Sequence, residues 1–111
     1  MDIIEIEMKE SYKPDKRSVV RLIDEDYLLL NLICLEAGQE VPYHNANSNV
    51  NLMVYRGKGE LELSGEKERF EKGRIYRVPF RTKMRIMNDS KDQQLSFLVF
   101  KTPNPKEMNG R

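Results

Sequence analysis

The chain has 111 residues, 39% of them hydrophobic and 33% charged, which suits one domain with a core of its own. Its 19 basic and 18 acidic side chains leave a net charge of +1, so charge gives no reason to expect nucleic acid or an anionic membrane as partner. Cys34 is the single cysteine, which excludes an intrachain disulfide and makes a reducing cytoplasm the default setting.

Ile4, Ile6 and Met8 alternate with Glu5 and Glu7, a period of two that predicts an edge strand. The same stretch lacks the basic start and long apolar run of a signal peptide. Ser11 to Lys16 contains Pro14 and reads as a loop, and Ser18 to Ile23 is β-branched and reads as a strand. Residues 3–23 are thus expected to supply N-terminal edge strands. Tyr27 to Leu35 is the most apolar segment, and its longest apolar run, Tyr27 to Leu30, is too short to cross a bilayer. Leu28, Leu30, Leu32 and Cys34 share one face; Leu29, Ile33 and Leu35 share the other. Such a strand must be covered on both sides, the second cover being a candidate subunit contact. Asn31 interrupts the odd face and needs a hydrogen-bond partner if buried.

Ala37-Gly38 turns the chain, and Val41 to Ser48 and Val50 to Tyr55 are strand-like. Turns follow at Gly57-Lys58-Gly59, Ser64-Gly65-Glu66 and Glu71-Lys72-Gly73, with Glu60 to Leu63 and Arg69 to Glu71 as a hairpin between them. Ile75 to Pro79, Lys83 to Met87 and Gln94 to Lys101 are the last strands. The tail, residues 102–111, carries two prolines and should be loose or strapped on the surface. Short strands with turns about every ten residues predict an all-β sandwich or barrel.

Gly38, His44 and Gly57 fall in register with the first conserved motif of the cupin superfamily, which the chain resembles here. That motif's second histidine and its glutamate are replaced by Ala46 and Val50. Gly73, Pro79 and Asn88 fit the second motif, with Arg81 at a glycine position and Met84 at a histidine position. The spacer, Lys58 to Lys72, is short, as in small single-domain cupins. The resemblance covers residues 27–101 and implies a cupin-type double-stranded β-helix, a jelly-roll barrel, within a single domain spanning 1–111. It also implies a homodimer.

His44 is the only histidine, so a monomeric site with two or three histidines is excluded. Alanine, valine and a methionine thioether at the other ligand positions do not suit iron, manganese or zinc, and no metal or other cofactor is expected. By strand parity, Ala46, Val50, Met84 and Ile86 line a barrel mouth, with His44, Ser48, Tyr76 and Asn88 as its polar groups. These side chains either bind a small organic ligand or simply fill the barrel. His44 is the candidate catalytic acid–base, or else a histidine held at the rim. The basic run Lys72, Arg74, Arg77, Arg81, Lys83 and Arg85 reads as an outer face that is solvated or salt-bridged between subunits. The favoured expectation is a metal-independent binding protein or dimeric interaction module. A metal-independent isomerase or lyase using His44 is the alternative, and a metal-dependent cupin dioxygenase or isomerase a third.

Overall fold

The computed structural model describes residues 1–108. Among these residues, nine antiparallel strands form two facing sheets: β1 (Ser18–Glu25), β2 (Leu28–Leu35), β3 (Glu40–Asn45), β4 (Asn49–Arg56), β5 (Gly59–Leu63), β6 (Glu66–Phe70), β7 (Tyr76–Val78), β8 (Lys83–Met87) and β9 (Leu95–Thr102). One sheet has five strands in the order β1-β2-β9-β4-β7, and the other has four in the order β3-β8-β5-β6. The fold is the expected all-β double-stranded β-helix.

Alternation in the strands builds the core. Leu52 and Val54 of β4, Leu95, Phe97 and Val99 of β9, and Val78 of β7 face Leu61 of β5, Phe70 of β6, and Met84 and Ile86 of β8. Phe70 meets Phe97 edge-on across the sheets with centroids 5.0 Å apart, a contact that ties one sheet to the other. The β5–β6 hairpin turns on Ser64 and Gly65, both at positive φ (48° and 86°), the type I′ geometry that suits the strand twist. Gly57, at φ 76°, lies so close to the Gln94 carbonyl that a Cβ would overlap it.

The N-terminal edge strand is a correction. Ile6–Lys9 forms a single helical turn, and Ile3 and Met8 are exposed. The Ile4-to-Met8 spacing is also a helical i, i+4 repeat, and no free sheet edge captures the segment. The next residues cover the outer face of the five-stranded sheet instead. Arg56 donates two hydrogen bonds to the Glu10 carboxylate, both 2.8 Å, and the Tyr12 and Ser96 hydroxyls donate at 2.7 and 2.9 Å. The Tyr12 hydroxyl and the Ser11 backbone approach the Cys34 thiol. Part of the second cover over β2 is therefore intrachain.

The tail is strapped down as far as it is described. Asn104 is buried, and its amide donates to the Asp24 carboxylate and the Glu25 carbonyl. A 3-10 turn, Pro105–Met108, follows; the remainder of the expected loose tail, residues 109–111, lies outside the described residues.

The Arg56 hydrogen bonds, opposed by burial, hold the Glu10 carboxyl down from 4.5 to about 2. A depressed folded-state pKa adds stability that is fully present above about pH 4.5 and is lost as the pH falls toward 2. Because Arg56 is half exposed, Glu10→Gln should remove only about 1–2 kcal/mol at pH 7. Chemical denaturation should show the two proteins converging between pH 4.5 and 2.

Candidate functional site

The barrel mouth is built where β3, β4, β8 and β9 meet. β3 is the edge of its sheet, so Pro42 removes no ladder hydrogen bond. Pairing slips between Val41, opposite Ile86, and His44, opposite Met84, and this bulge brings His44 to the rim. The His44 Nδ1 lies 2.9 Å from the Pro42 carbonyl, which orients the ring when Nδ1 carries the proton.

Below the rim lies a cavity of about 60 Å³. Its walls include the apolar side chains of Ile33, Ala46, Val50, Met84, Ile86 and Val99. Its polar groups are His44, Asn47, Asn31 and Lys101. Five of the expected residues, His44, Ala46, Val50, Met84 and Ile86, are thus brought together around one space.

Three expected residues are placed elsewhere. Ser48 is fully buried, but its hydroxyl donates to the Pro103 carbonyl and ties the β3–β4 loop to the tail. Tyr76 donates to the Arg69 carbonyl at 2.6 Å and accepts from the Glu71 N–H at 3.0 Å, pinning β7 to the end of β6. Asn88 lies just beyond the far end of β8, away from His44. Its amide donates to the Leu35 and Gln93 carbonyls and its oxygen accepts from the Ser90 N–H. Strand parity assigned a face to these residues but not a height in the barrel or a competing backbone partner.

Asn31 and Lys101 were absent from the expected set of site residues. Asn31 is 8% exposed, and its buried Oδ1 has no hydrogen-bond partner among the described residues. Lys101 follows Leu95, Phe97 and Val99 on the inward face of β9, and the same parity applied to that strand points to it. Burial pushes its pKa down, with no charged neighbour opposing the effect. Cys34 is buried, and desolvation raises its thiol pKa, which disfavours the reactive thiolate.

Among the described residues, no three His, Cys, Asp or Glu side chains converge on a point. The donors at the cupin ligand positions, one imidazole and one thioether beside Ala46 and Val50, do not fit a first-row metal. A wider depression, about 600 Å³, opens at the other end, near Gly57, Arg69 and Asp89. Arg69 and Asp89 are paired there at 2.6 Å, so their charges satisfy one another. Much of the basic run is likewise engaged on the outer surface, with Arg74 near Glu68 and Glu71 and Arg85 on Glu40.

An uncharacterised protein of Methanocaldococcus jannaschii is 36% identical over 107 residues, covering 94% of this chain and 91% of its own length. The crystal structure of an RmlC-like cupin family protein from that organism matches at 34% identity and a TM-score of 0.76, covering 90% of this chain and 94% of the other. The chain belongs to the RmlC-like cupin family. No protein-family model matches it. The fold extends to more distant structures: a Thermus thermophilus protein superposes with a TM-score of 0.84 at 19% identity, covering 93% of this chain and 98% of the other. A Thermotoga maritima protein described as a predicted oxalate decarboxylase gives 0.70 at 16%, covering 78% and 80%.

The unpartnered Asn31 acceptor is a standing cost to this cupin, on the order of 1–3 kcal/mol for a buried polar group. Asn31→Leu should stabilise the ligand-free protein by about 1 kcal/mol, read as a raised midpoint in urea denaturation.

Proposed function

We propose that this cupin is a metal-independent binding protein that takes a small organic molecule in the barrel mouth beneath His44. The supporting observation is the cavity itself, an apolar space with four polar side chains at its wall and a buried acceptor left open. At about 60 Å³ it suits a molecule of a few heavy atoms. A cytoplasmic setting belongs to this reading, with Cys34 as a free buried thiol. So does a homodimer. On the outer face of the five-stranded sheet, Met53 and Ile75 are exposed and border an open groove with Phe100.

A second reading makes the same mouth catalytic. The Nδ1 contact to the Pro42 carbonyl favours the tautomer whose Nε2 is a free acceptor, the form a general base requires. The predicted oxalate decarboxylase among the distant structures has the same fold, which by itself carries no activity across.

A thermal-shift panel of small metabolites tests the site. A hit should raise the midpoint in the native protein and lose its effect in Ala46→Leu, which fills the cavity. A shift that survives His44→Ala, with the compound recovered unchanged, supports binding over catalysis. Stoichiometric metal in untagged protein, lost in His44→Ala, would overturn the metal-independent reading. For the assembly, sedimentation velocity should give a dimer, and Met53→Lys should give a folded monomer. A native monomer at tens of micromolar would sink the dimer.

A further inference from the structure

We propose that the ligand is a short hydroxycarboxylate, its carboxylate held by Lys101 and its hydroxyl by Asn31. This inference rests on the binding reading above and names the chemical class that the mouth selects.

Charge sets the first half. Among the described residues, Lys101 is the one cation on the cavity wall, and no aspartate or glutamate shares that wall. Among the described residues no carboxylate is paired with Lys101; the neighbouring Lys106, by contrast, lies 3.1 Å from Asp26. A half-buried lysine on an apolar cavity wall, with no counter-ion among the described residues, is matched by an anion small enough to enter.

The open acceptor sets the second half. Asn31 lies opposite Val99 on β9, and Lys101 is two residues further along that strand. The two are diagonal neighbours on one face, about 7–8 Å apart. Asn31 Oδ1 is buried and unpartnered, so it requires a donor from whatever fills the cavity. A carboxylate alone offers none, and a hydroxyl beside the carboxylate does. The volume, about 60 Å³, limits the molecule to the scale of glycolate or lactate.

The test is a heteronuclear NMR titration of the intact protein with glycolate, lactate, propionate and lactamide at constant ionic strength. Lactate and glycolate should perturb the amides of β2, β4, β8 and β9 around the mouth. They should bind at least fivefold tighter than propionate, which lacks the hydroxyl, and than lactamide, which lacks the charge. Lys101→Met should weaken lactate at least tenfold and bring it level with lactamide. Asn31→Leu should bring lactate level with propionate. Both variants replace a polar side chain by an apolar one of similar size, and their dispersed spectra serve as the check on folding. Equal binding of lactate and lactamide by the native protein overturns the role of Lys101, and equal binding of lactate and propionate overturns that of Asn31. Should the acids fail while a neutral compound from the metabolite panel occupies the mouth, the hydroxycarboxylate inference falls and the binding function stands. Should nothing perturb the mouth, both fall.

Discussion

One backbone pairing underlies the rest of the molecule: β9 runs between β2 and β4 and is hydrogen-bonded to both. Its inward side chains, Leu95, Phe97 and Val99, occupy the centre of the core, and Phe97 reaches Phe70 on the opposite sheet. Its register also places Lys101 opposite Leu29 on one side and Val50 on the other. The strand that closes the barrel therefore also delivers a cation to its mouth. A slip of one residue would turn every inward side chain outward, so core packing and the position of Lys101 are specified together.

The scaffold and the chemistry of the mouth are separable, and the backbone shows how. Gly57 is held to glycine by the nearby Gln94 carbonyl, a constraint independent of any ligand. Arg81 stands at a motif position that favours glycine, yet its φ is 72°, so the left-handed turn persists with a side chain present. Ala46, Val50 and Met84, by contrast, face the interior and can change without altering a turn. Their replacement leaves the barrel intact and converts a potential coordination sphere into an apolar wall.

Much of the fold was legible because strands and turns are local signals. β8 matched its expected span, Lys83 to Met87, and β9 differed by one residue at each end, because alternation and flanking turn residues mark such elements clearly. The Ile4-to-Met8 segment misled because its spacing serves either a strand or a helical turn, and only whether the segment pairs with a sheet edge decides between them. At the site, parity found Ala46, Val50, Met84 and Ile86, whose environment is set by which way a strand faces. It could not see that Ser48, Tyr76 and Asn88 have backbone partners from segments up to 55 residues away in sequence. Asn31 drew notice as a polar interruption in an apolar strand, but its kinship with Lys101 depends on the β2–β9 register, which no local pattern contains.

The position of β9 has a consequence for biosynthesis. β2 and β9 pair residues 60 to 72 positions apart, from Leu35 with Leu95 to Leu29 with Lys101. A nascent chain emerging from the ribosome can form the β1–β2 and β5–β6 hairpins early, but β2 and β4 each keep a bare edge until residues 95–102 emerge. The chain must survive this interval with unsatisfied strand edges and exposed leucines, conditions that favour pairing with a neighbouring chain on a crowded polysome. Translation speed through the last third of the message, and any chaperone that shields β2 and β4 in the meantime, would then set how much of the product reaches the native barrel.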